Sequence, residues 1–191
     1  MELSFDRPSH WTPVSRLGGG IVLALYLLFL FYAWRADSGF LFLDYANLVI
    51  HEAGHPFFSW GGHTLMILGG TLGELIVPLL CAIFFFFQRQ TYGLAFSVFW
   101  FFENFLYIGT YMADARTLSL PIVNSDESDW TILFEHWDVL ASDQVIGRHT
   151  RQFGWLGMFA VVAWLAYRLY CDSQSHTQAH PLELSPGSKG N

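Results

Sequence analysis

Three long runs with almost no charge, residues 18–34, 65–87 and 92–111, decide what this chain can fold into. A helix needs roughly 20 apolar residues to cross a hydrocarbon core of ~30 Å, with a lower limit near 17. Segments 40–60 and 146–170 are also long enough, although polar residues interrupt them. Backbone groups cannot stay unpaired in lipid, so the expected fold is all-α: a polytopic integral membrane helix bundle of about five transmembrane helices. Composition agrees, because the 191 residues are 53% hydrophobic, 18% aromatic and only 13% charged, too apolar for an ordinary soluble domain. The first run is longer than the ~7–15 apolar residues of a cleaved signal and reads as a retained helix. A multi-pass protein follows, with the lipid bilayer as its surroundings and the cell membrane as the expected location.

Short polar punctuation separates the runs: RADSG at 35–39, WGGH at 60–63 and QRQT at 88–91. Such short links make neighbouring helices antiparallel. The exception is the connection over about 115–145, where the acids behind the net charge of −7 gather in NSDESDWTILFEHWDVLASD at 124–143. Acid there points away from a nucleic-acid partner and toward an aqueous loop or cap. Its W..LFEHW pattern predicts a short amphipathic helix at the membrane surface, where tryptophan is favoured. The chain thus divides into a polar N-terminal segment (1–17), a transmembrane helical domain (18–171) and a tail (172–191) whose Ser, His, Pro and Gly content predicts disorder. Lys and Arg are spread too evenly to orient the bundle. The cysteines, Cys81 and Cys171, have no metal-type spacing.

One apolar segment carries a polar cluster, NLVIHEAGHPFFSWGG. His51, Glu52 and His55 make H-E-x-x-H, which on a helix sets both imidazoles on one face, one turn apart, with a carboxylate beside the first. Charge at the bilayer centre costs ~2.5–3.5 kcal/mol on insertion scales. Zinc binding to structural peptide sites is worth an apparent ~10–16 kcal/mol and would more than offset the cluster. Zn2+ is therefore the expected cofactor, with Glu52 addressing its water. The bland alternative is a set of polar residues bonded across helices with no metal.

A catalytic zinc needs at least three protein ligands. Candidates for the third are Glu74, Glu103, Asp114, His63, His136 and His149. Treating the helices as antiparallel rods, Asp114 comes within one turn of His55, His149 returns to that level, and Glu74 and Glu103 lie together beyond His51. That register favours Asp114, keeps Glu74 as a rival, and leaves Glu74 and Glu103 able to pair with each other. Pro56 follows His55 directly and predicts that the motif helix ends or kinks there.

Across about 40–115 these residues resemble the site-2 protease family of intramembrane zinc metalloproteases. The resemblance implies a three-helix core in which His51 and His55 are zinc ligands and Glu52 the general base. It also implies Asp114 as the third ligand and Asn104 as the residue that stabilises the reacting carbonyl. The family's aspartate usually sits in a Leu-Asp-Gly setting after Asn-x-x-Pro, whereas here the chain reads ENFLYIGTYMADA. Membrane proteases driven by ATP share the H-E-A-G-H spelling, but no G-x-x-x-x-G-K-[ST] loop is present. The implied activity is zinc-dependent hydrolysis of a peptide bond in a membrane-protein substrate. A non-proteolytic membrane zinc protein, such as an assembly subunit, and a zinc-dependent lipid amidase are the rivals. Oligomeric state is open.

Overall fold

The computed structural model describes residues 8–36, 40–120 and 128–179, with side chains followed to 175. Residues 1–7 of the polar segment and 180–191 of the expected disordered tail lie outside the described residues. Among the described residues the chain forms six α-helices and no strand. They are α1 (Arg16–Arg35), α2 (Asp44–Phe58), α3 (His63–Phe87), α4 (Thr91–Ala113), α5 (Asp129–His136) and α6 (Asp143–Ala179).

Length and hydropathy together make three helices able to cross a membrane: α1, α3 and the Leu140–Ser175 stretch that holds most of α6. The 25 residues of α3 rise about 37 Å, whereas the 15 of α2 rise only about 22 Å. Segment 40–60 is thus shorter as a helix than its apolar length implied, because residues 42–43 are turn and Ser59–Gly61 tighten into a 3-10 turn. The helix also runs past His55 to Phe58 with Pro56 inside it, rather than ending at the histidine. A missing amide proton so near the C-terminus removes one bond, and packing of that last turn on α3 outweighs it: a Cβ on Gly69 would come within 2.9 Å of Phe58 Cβ. At the other end of the chain, α6 continues through 172–179, part of the expected disordered tail. Asp172 explains part of this, since its carboxylate accepts the Val14 amide at 2.7 Å and pairs with Arg168 at 3.6 Å.

Glycine brings the helices together. A Cβ on Gly147 of α6 would stand 2.3 Å from the Gly109 carbonyl of α4, and one on Gly154 2.7 Å from the Phe102 carbonyl. Between α2 and α3, a Cβ on Gly54 would lie 2.1 Å from the Gly69 carbonyl. Such contacts bring the backbones close enough to gain dispersion energy directly. The main core joins α1, α4 and α6 through Tyr26, Leu30, Phe99, Met158, Val161 and Leu165, with Tyr26 stacked on Phe99 at 4.5 Å. Outward, α1 exposes Leu25, Leu28, Phe31 and Trp34. A second cluster seats α5: Trp130, Leu133 and Phe134 pack on Ile67 of α3 and on Ile108 and Ala115 at the end of α4. The amphipathic helix expected at W..LFEHW is present, and its apolar side is buried on the bundle.

Candidate metal centre

The third carboxylate at the histidines is Asp129, the first residue of α5. One of its oxygens, Oδ2, lies 2.9 Å from His51 Nε2 and 3.4 Å from His55 Nε2. Ligand atoms of His51, His55 and Asp129 all lie within 4.8 Å of one another, close enough to hold one metal ion. Each element contributes for a local reason. Helical spacing in α2 stacks the two imidazoles with ring centroids 4.9 Å apart. Gly70 of α3 leaves room for the first ring, because a Cβ there would come within 2.6 Å of His51 Nε2. The apolar anchor of α5 carries Asp129 in, and the Asp129 amide donates to the Tyr111 hydroxyl at 3.1 Å.

Tautomers argue for a cation at this point. His55 Nδ1 faces the Met66 carbonyl at 3.0 Å, a partner to which it can only donate. His51 Nδ1 faces Glu74 Oε1 at 3.3 Å, a carboxylate that likewise accepts. With both Nδ1 atoms protonated, each Nε2 presents a lone pair to the same oxygen of Asp129. Three electron-rich atoms gathered at 2.9–3.4 Å repel unless a proton or metal ion lies among them. Ligands of a tetrahedral zinc with bonds of ~2.0 Å stand roughly 3.3 Å apart, so the donor set fits and the two separations from Asp129 Oδ2 bracket that value. Orienting a metal-binding histidine through a carboxylate on its other nitrogen is a common outer-sphere arrangement. Glu74 takes that part here. Glu52 follows His51 in α2, is half-buried, and lies within electrostatic reach of Tyr111.

Asp114 is engaged elsewhere. It ends α4 and organises the turn that follows, accepting from the Thr117 hydroxyl, the Ser119 hydroxyl and amide, and the Leu120 amide. Burial acts to raise its pKa, but those hydrogen bonds together hold it below the usual carboxylate range. The residue of α4 that comes nearest the histidines is Tyr111, its ring 6.2 Å from His51. Asn104 also differs from its expected part. Its amide nitrogen donates to the carbonyls of Glu74 and Trp100, at 3.0 and 3.1 Å, inside the bundle. Glu103 and Glu74 turn to different hydrogen-bond partners, Glu103 accepting from Asn47 at 3.3 Å and Glu74 meeting His51. His149 bonds Gln152 on the outside of α6, and His63 and His136 are exposed at helix ends. None of these three joins the metal-type group among the described residues.

Sequence reasoning passed over Asp129 because it is one of six acids between 124 and 143. Nothing in the local pattern separates it from Asp126 or Glu127. Only its position directly before the W..LFEHW pattern sets it apart. Compared with protein-family models, curated proteins and solved structures, the chain matches none.

Proposed function

We propose that the chain is a multi-pass integral membrane zinc metallopeptidase, similar in its chemistry to the site-2 proteases, with His51, His55 and Asp129 as metal ligands. In this reading α2 and α4 lie within the membrane beside α1, α3 and α6, making five membrane helices. The observation that carries it is the meeting of both histidine Nε2 atoms on one oxygen of Asp129. Among the described residues three ligands rather than four come together, which leaves one position for water, as a catalytic site requires. That favours hydrolysis over a purely structural metal.

A bound zinc would supply Lewis acidity toward water and toward the substrate carbonyl. The remaining work belongs to the chain. Glu52, one residue from the first ligand, takes the proton of the attacking water and returns it to the leaving amine. Tyr111 accepts the Asp129 amide through its hydroxyl oxygen, which leaves the phenolic proton free to donate to a developing oxyanion. It takes the part that Asn104 was expected to play. Glu74 keeps His51 in the tautomer that presents Nε2. The substrate class is a membrane-embedded polypeptide, which must unwind locally to expose its peptide bond.

Elemental analysis of the purified protein tests the ligand set. Wild type should carry about one zinc per chain, the lower limit of metal for a three-ligand site. His51→Ala and Asp129→Ala should lose it, and Asp114→Asn should keep it. Retention of zinc by Asp129→Ala would reject the assignment. Glu52→Gln should retain metal yet fail to cut a membrane-embedded reporter, and loss of metal in that variant would count against its role as base.

A further inference from the structure

We propose that the notch between α4 and the first turns of α6 binds the phosphate of an anionic phospholipid, with Arg148 and Arg151 as its charge partners. The proposal rests on reading the chain as a membrane protein and is independent of the metal chemistry. The notch has a volume of about 290 Å³ and is lined by Ala113, Gln144, Arg148, Arg151, Gln152 and Trp155. Glycines create it. Gly109 and Gly147 let the two backbones touch, and the Arg151 stem lies across the resulting gap, its Cγ 2.6 Å from where a Gly109 Cβ would be. One guanidinium stem is therefore laid against α4 instead of sweeping freely through solvent.

Both arginines are exposed, and neither has an ion-pair or hydrogen-bond partner among the described residues. Two other arginines are matched by acids, Arg116 by Asp143 at 2.6 Å and Arg168 by Asp172 at 3.6 Å. Asp143, the nearest preceding acid on α6, is thereby already taken. Two cations three residues apart on one helix face repel each other. An anion held between them removes that repulsion, and guanidinium forks suit phosphate oxygens.

The notch also says which phosphate. Trp155 lines the notch and stacks on Phe159 at 5.8 Å, and Leu156 and Phe159 continue from it along α6 as exposed apolar surface, 70% and 53% accessible. A headgroup at the arginines would lay its acyl chains on that surface, with the indole at the boundary where tryptophan is favoured. Free phosphate would use the cations and leave the apolar strip bare.

Native mass spectrometry of the full chain, released from vesicles of mixed phosphatidylglycerol and phosphatidylcholine, reads the bound lipid. Each cation near an anionic lipid contributes about fivefold in affinity, so wild type should retain phosphatidylglycerol over phosphatidylcholine by roughly 25-fold. Arg148→Gln/Arg151→Gln should lose most of that preference, Arg148→Lys/Arg151→Lys should keep much of it, and Arg35→Gln should leave it unchanged. Retention of the preference by the double Gln variant overturns the proposal, as does its loss in Arg35→Gln. Displacement of the lipid by millimolar inorganic phosphate overturns the assignment to lipid. If alkaline carbonate extracts the chain from membranes, the membrane reading itself has failed, a result distinct from a membrane-embedded protein without lipid preference.

Discussion

Pro78 lies inside α3 and lacks the amide proton that would bond the Glu74 carbonyl four residues earlier. Asn104 supplies the missing donor from α4, at 3.0 Å. In an interior without water an unsatisfied carbonyl costs ~1–3 kcal/mol, so Asn104→Ala should destabilise by about that amount. Adding Pro78→Ala restores the helical donor and should recover most of the loss, a coupling that denaturant unfolding of the four chains would reveal. Additive effects would dissociate the two residues. Asp114 serves its turn in a comparable way. Its folded pKa lies below the ordinary aspartate value of 3.8. Its contribution to stability is therefore complete above that value and is lost as pH falls through the depressed folded pKa. Asp114→Asn should remove this acid-side dependence from the unfolding profile while leaving metal content intact.

At the scale of elements, α5 decides whether a third ligand reaches the histidines. It has only eight residues, too few to persist as an isolated helix, so its order depends on the burial of Trp130, Leu133 and Phe134. Leu133 is 1% exposed. Leu133→Ala should cost ~2–5 kcal/mol of local stability and weaken zinc binding although every ligand remains. Competition with a chelator would measure it, and unchanged affinity would show that α5 holds Asp129 without its apolar anchor. A buried set joins α2 to α4: Asn47 donates to Asp44 and to Glu103, and accepts from the Trp100 indole. These bonds fix the rotation of α2 about its axis, and with it the direction of the histidines.

In the molecule as a whole, glycine crossings set how closely the histidine helix approaches its neighbour. Gly54 stands between the two ligands of its own motif and against the Gly69 carbonyl. Gly54→Ala should force α2 and α3 apart, cost ~1–3 kcal/mol as overpacking and lower zinc affinity. Gly20→Ala on α1 meets nothing within 4 Å and serves as the control. Equal unfolding midpoints and equal zinc contents for the two variants would contradict the crossing as the organising contact. The bundle also leaves large apolar side chains exposed on α1 and α3, such as Leu28, Phe31, Leu80 and Phe84, the surface that lipid would cover.

Periodicity and length alone determined that this chain is helical, where its apolar runs lie, and that two histidines and a glutamate share one helix. Those are properties of neighbours in sequence, set by 3.6 residues per turn and by the cost of unpaired backbone. Tertiary structure decided the rest. Asn104 lies in α4 and Asp114 caps it, but position along a helix does not fix rotation about its axis or the path of the chain after Ala113. Their side chains answer to the turn at Thr117–Leu120 and to the carbonyl opposite Pro78. Asp129 reaches the histidines because burial of α5 on α3 and α4 brings it there, a contact across seventy-eight positions of sequence that no local pattern encodes.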